Sequence, residues 1–162
     1  SFKNLPSEHQ LRKKIIDKLP DEYKESFNKE WPVEVRPINP VDLMSPEPKE
    51  PQNYIWFKAR SSLPDIVSLH QCVLAYMSDM TLLDTCTNPH GVNFMNPNLH
   101  SASLDHAMWF HRPFKADEWL LYHQDSPSAS GARGFNRGSI FDLNGNLIAS
   151  VAQEGLIRFT QN

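Results

Sequence analysis

The chain has 162 residues and a mass of 18.6 kDa, 40% hydrophobic and 22% charged, which suits one domain with a real core and leaves little room for two. No apolar run approaches the ~18 residues of a membrane-spanning helix, and no basic, apolar leader marks secretion. A formal charge of −3 and a pI of about 6.1 argue against nucleic acid as a partner, and Cys72 and Cys86, with no CxxC spacing, point to a reducing compartment and away from a zinc site.

Composition divides the chain near residue 60. Eight of the 13 prolines fall in residues 1–51 and all six glycines after residue 90, so the first part reads as a leader and the second as the folded unit. The leader carries net +1 over residues 1–60, and residues 61–162 carry net −4. We read residues 1–52 as a partly helical leader or interdomain linker and residues 53–162 as the domain. Ser1, where an initiator methionine would stand, suggests a fragment or a processed chain.

Within the leader, Leu11, Ile15, Ile16 and Leu19 make a partial apolar stripe that Pro20 interrupts. The stretch from Pro37 to Pro51 reads as extended and irregular. Residues 53–60, NYIWFKAR, favour a strand. Ser62 then stands as candidate N-cap for a helix from about Pro64 to about Leu83. Its stripe is Ile66, Leu69, Val73, Tyr76/Met77, Met80 and Leu83, and it must end before Asn88-Pro89. Four strand-like runs follow, at residues 103–112, 119–125, 133–143 and 146–159, the last two flanking the hairpin signal Asn144-Gly145. This is an α+β plan, a long helix on one face of a curled antiparallel sheet, and the order fits a hotdog arrangement.

Two residues break this pattern, and such breaks are where function concentrates. Asp79 lies on the flank of the helical stripe, where a buried carboxylate needs hydrogen bonds or a proton; otherwise it is a solvated edge residue. Gln153 shares the strand face of Leu147, Ala149, Val151, Gly155 and Ile157, where its amide needs partners for both ends or serves a bulge beside Gly155. His106 and His111 are five apart, so on one strand they face opposite sides and cannot share a metal; each reads as a hydrogen-bonded structural residue. Ser103 by itself is an ordinary strand-edge hydroxyl. No GxSxG elbow, P-loop or GxGxxG occurs. SPSASGARG, residues 126–134, with Arg133 and Arg137, is either an anion cradle or a polar connection.

The segment LDHAMWFHRPFKADEWLLYHQDSPSASGARGFNRGSIFDLNGNLIASVAQEGLIR, residues 104–158, closely resembles the C-terminal part of thioesterase II, the acyl-CoA thioesterase family of bacteria and peroxisomes. LHQCVLAYMSDMTLL, residues 69–83, resembles that family's central helix. The resemblance covers roughly residues 53–159. It implies a hotdog domain, the second of two in one chain, with the first absent here. It implies hydrolysis of fatty acyl-CoA without cofactor or metal. It places the catalytic groups on Asp79, Ser103 and Gln153, all of which match the family motifs. The expected partners are acyl-CoA and a second hotdog domain, from the same protein or a self-dimer.

In the mechanism this implies, Asp79 acts as base towards a water that Ser103 and Gln153 orient, with direct attack in place of an acyl-enzyme. Met77, Met80 and Trp109 are candidate linings of an acyl tunnel, or plain core. Arg133, Arg137 or the other domain would meet the coenzyme phosphates. One rival is an enoyl-CoA hydratase-type enzyme, which needs a paired Asp and His. Asp79 and His106 are the candidates, and nothing in the sequence places them together. The other rival is a non-catalytic module that pairs with a partner hotdog. Relatives in eukaryotes often carry a peroxisomal SKL-like ending; Thr160-Gln161-Asn162 is none, so the expected compartment is the peroxisome if that signal lies elsewhere and the cytosol otherwise.

Overall fold

A computed structural model describes residues 1–160; Gln161 and Asn162, part of the C-terminal tripeptide, lie outside them. The fold is the expected α+β plan. One antiparallel sheet runs in the order β1-β2-β5-β6-β7-β3, with β4 also paired to β7. Its strands are β1 (Val33–Pro37), β2 (Gln52–Ala59), β3 (Leu99–Ser103), β4 (Ala107–Phe110), β5 (Leu120–Ser130), β6 (Arg133–Phe141) and β7 (Leu147–Phe159). The helices are α1 (Glu8–Ile15), α2 (Asp21–Asn28) and α3 (Val67–Asp79). The core lies between α3 and the inner face of the sheet, with Leu74 and Met77 packed among Phe57, Tyr122, Ile140 and Val151.

The leader is more structured than its composition implies. Ser7 and Gln10 form a capping box that starts α1. Arg12, buried, donates to the carbonyls of Ser26 and Lys29, each at 3.2 Å, and lies 4.2 Å over the Trp31 ring. The guanidinium thus ties α1 to the end of α2. Val33 and Val35 alternate inward, so the segment after α2 forms β1 and pairs with β2 from Val33↔Ala59 to Pro37↔Ile55. The reading of residues 1–52 as a partly helical leader contains no such strand. Pro37 falls at its end on the sheet edge, where a missing N–H does no harm.

The long helix departs from expectation at both ends. It starts at Val67, and its N-cap is Ile66 with no side-chain cap, so Ser62 does not serve. The reason is tertiary: Leu63 N–H donates to Asp117 Oδ2 at 2.8 Å, and Lys115 pairs with Asp65, which hold residues 63–65 against the turn before β5. The helix closes at Asp79, and a separate 3₁₀ helix covers Leu83–His90. Asn88-Pro89 sits inside that second helix rather than beyond the first, and Gly91, at φ +60°, ends it in the left-handed region. The buried face is His70, Leu74, Met77 and Ser78, while Tyr76 is exposed. It includes two polar residues because both find partners: Ala116 N–H donates to His70 Nδ1 and Ser78 Oγ donates to Ala75 O.

The run expected as one strand over 103–112 is two. Leu104 and Asp105 both point their N–H groups at Glu154 O, and Asp105 Oδ1 accepts from Glu154 N at 2.7 Å. This kink separates β3 from β4, which lie on successive stretches of β7: Ser103 opposite Gly155, Ala107 opposite Ala152. The hairpin at Asn144-Gly145 forms, with Gly145 at φ +81° and Asp142 Oδ1 accepting from the N–H groups of Asn144 and Asn146.

Candidate active site

Asp79 is the last residue of α3, and its carboxylate is half exposed at the helix C-terminus. The partial negative charge of that end does not favour a second one, so hydrogen bonds from other elements must hold it. Two do. Ser103, at the end of β3, donates from Oγ to Asp79 Oδ1 at 3.3 Å. Gln153, on the inner face of β7 and fully buried, donates from Nε2 to the same oxygen. Asp79, Ser103 and Gln153, drawn from three separate segments, therefore meet at one carboxylate oxygen. Among the described residues, no protein group donates to Oδ2.

The packing that permits this is glycine-dependent. Gly155 lies two residues past Gln153, and a Cβ there would come 2.2 Å from Leu83 Cδ1. The chain after α3 can approach β7 only because that Cβ is missing. Tyr122, buried in β5, donates from its hydroxyl to Ser78 O at 3.1 Å and so fixes the backbone immediately before Asp79.

A fourth residue joins the cluster that the sequence did not assign to it. His106 Nδ1 is 3.6 Å from Asp79 Oδ1 and 3.0 Å from Gln153 Nε2, and its Nε2 is 2.8 Å from Ser78 Oγ. On a continuous strand, residues 103 and 106 face opposite sides. The kink at residues 104–105 reverses that parity and turns His106 towards Asp79. His111 is elsewhere, 2.8 Å from Ser150 Oγ. Gln153 Oε1 is buried without a hydrogen-bond partner among the described residues, so the amide is oriented by what its nitrogen meets.

The other candidate residues are not brought to this cluster. Arg133 and Arg137 stand on the outer face of β6, paired with Glu154 and Asp125, whereas Asn136 between them faces inward opposite Gln153. Trp109 is 54% exposed on β4. Met77 is core, and Met80 lines a groove of about 690 Å³ between the leader and the sheet, together with Leu11, Phe27, Val35 and Ile55. Its lining includes Met80 and Thr81, the residues that follow Asp79, but not Asp79 itself. A second concavity, of about 560 Å³, sits at the start of α3 beside Val67 and His70 and shares no residue with the cluster.

The chain is similar to known proteins in sequence and in fold. A family model described as acyl-CoA thioesterase matches residues 22–156. Acyl-CoA thioesterase 2 of Haemophilus influenzae is 37% identical, over 98% of this chain and 55% of its own length. The crystal structure of acyl-CoA thioesterase II TesB2 from Mycobacterium marinum superposes with a TM-score of 0.67 at 47% identity, covering 90% of this chain and 54% of that one. A protein of unknown function from Alicyclobacillus acidocaldarius, described as having a hot dog fold, matches with a TM-score of 0.62 at 15% identity, over 80% of this chain and 47% of its own, a likeness of fold alone. The chain spans about half the length of these relatives.

Proposed function

The chain belongs to the acyl-CoA thioesterase family, and we propose that the protein it forms part of hydrolyses fatty acyl-CoA to a free fatty acid and coenzyme A. The observation that carries the reading is the convergence of Ser103 and Gln153 on Oδ1 of Asp79, which leaves Oδ2 without a protein donor among the described residues. Asp79 takes a proton from a water as its oxygen bonds to the thioester carbon. Collapse of the tetrahedral adduct breaks the C–S bond, and the proton passes from Asp79 to the departing thiolate. Ser103 and Gln153 hold the carboxylate in line for that attack. The acyl chain lies in the groove that Met80 lines. A second hotdog half, or a second copy, completes the site and supplies the phosphate contacts, since Arg133 and Arg137 already face Glu154 and Asp125.

The distance between Asp79 and His106 gives the hydratase-type reading its one specific support. Both ring nitrogens of His106 are engaged inside the protein, by Gln153 and by Ser78, which leaves neither for a substrate double bond. Thiol release decides between the readings. Asp79→Ala and Gln153→Ala should each lower kcat by roughly 10²–10³. Wild-type turnover in either variant contradicts the mechanism. Consumption of an enoyl-CoA without release of coenzyme A points to the hydratase, and acyl-CoA binding without turnover points to a non-catalytic module.

A further inference from the structure

We infer that His106 is a positioning residue: its neutral ring, protonated on Nε2, fixes which way the Gln153 amide points and so keeps a donor on Asp79. The inference rests on the hydrolytic reading above. Ser78 sets the tautomer. Its hydroxyl has one proton and gives it to Ala75 O at 2.9 Å; Met108 Sδ, at 3.4 Å, is the weaker acceptor. With that proton on Ala75 O, Ser78 Oγ accepts from His106 Nε2, 2.8 Å away, and Nε2 carries the hydrogen. Nδ1 is then a lone pair, and Gln153 Nε2 donates to it at 3.0 Å while its other hydrogen goes to Asp79 Oδ1.

Both hydrogens of the amide are thus committed, one to the ring and one to the carboxylate. Turned end for end, the amide would set Oε1 against two acceptors, and Asp79 would lose its buried donor. The ring alone decides between these orientations from the side away from Asp79. A proton on Nδ1 would place N–H against N–H and favour the turned amide. Among the described residues, Asp79 on α3 is the carboxylate within 4 Å of a ring nitrogen, and Ser78 on α3 and Gln153 on β7 are the ring's hydrogen-bond partners. The kink between β3 and β4 exists at the position needed to deliver this ring, and the unpartnered Oε1 of Gln153 is what the arrangement gives up.

The test compares His106→Leu with His106→Asn, whose side-chain carbonyl reaches the place of Nδ1. Acyl-CoA turnover, KM and Tm are measured for both, with Asp79→Ala in parallel. His106→Leu should lower kcat about 10–100-fold with KM nearly unchanged. His106→Asn should recover most of that loss while its Tm matches that of His106→Leu. A merely structural histidine would move Tm and leave the two variants equally active, which overturns the inference. If Asp79→Ala also retains turnover, the hydrolytic reading itself has failed. Nitrogen-15 NMR of the wild-type ring gives a readout independent of activity: an Nε2–H tautomer is expected, and an Nδ1–H or doubly protonated ring at neutral pH would overturn the inference.

Discussion

Asp79 and Gln153 share a feature at the residue scale: each is placed where stability alone would choose another side chain. A carboxylate at the C-terminal end of a helix gains nothing from the helix dipole, and a buried amide with an unpartnered oxygen is a loss of about 1–3 kcal/mol. Such breaks of pattern are legible in the sequence alone, because an acid beside an apolar stripe and an amide on an apolar strand face stand out by periodicity. Ser103 is not legible in that way. A hydroxyl at a strand edge is ordinary, and only the family motif singles it out. The two cysteines separate by environment. Cys72 is exposed on α3, whereas burial, opposed in part by a hydrogen bond from Asn136, pushes the Cys86 thiol up to about 11. A thiol reagent at pH 8 should modify one cysteine quickly and the second only after unfolding; two fast thiols would contradict the placement. The unfolded thiol ionises near its ordinary value of 9.0 while the folded one keeps its proton, so this group's contribution to stability falls as pH rises from about 9 to about 11.

At the scale of elements, the site depends on how β5, β6 and α3 interlock. Gly138 lies in β6 across from Gln124, and a Cβ on it would come 2.2 Å from Tyr122 Cε2. Tyr122 is fully buried and its hydroxyl holds Ser78 O, so the ring has nowhere to go without releasing the end of α3. Gly138→Ala should lower stability by about 1–3 kcal/mol, read as a fall in Tm, and should reduce turnover in the protein that remains folded. An unchanged Tm would mean that the ring moves freely. Strands β2, β5, β6 and β7 are legible from β-propensity and the Asn144-Gly145 turn, whereas β1 is hidden in the charged, proline-rich leader. The start of α3 is not, since it is set by Asp117 and Lys115, some 50 residues away. The kink after β3 is equally hidden. It arises from hydrogen bonds to Glu154 on β7, and no period in LDHAMWFHR reveals it, which is why strand periodicity puts His106 on the wrong side.

At the scale of the whole molecule, the leader is part of the folded unit. Arg12 ties its two helices together, β1 extends the sheet, and both wall the apolar groove that Met80 and Thr81 also line. Composition alone gives the opposite impression, because charge and proline dominate residues 1–52 while the few apolar groups that dock, such as Phe27 and Val35, are spread thinly. If the groove takes the acyl chain, Leu11→Trp should reduce turnover of long-chain substrates several-fold more than that of short ones; an equal loss at every length would place the chain elsewhere. About half the length of the relatives is matched here, and under the proposed function a second hotdog unit completes the site. The direct measurement is thiol release from acyl-CoAs of several lengths, by this chain alone and joined to a second hotdog half, with Asp79→Ala as the control. The account predicts release in at least the joined form, lost by roughly 10²–10³ in the Asp79→Ala variant. Release that survives Asp79→Ala, or no release from either form, would contradict it.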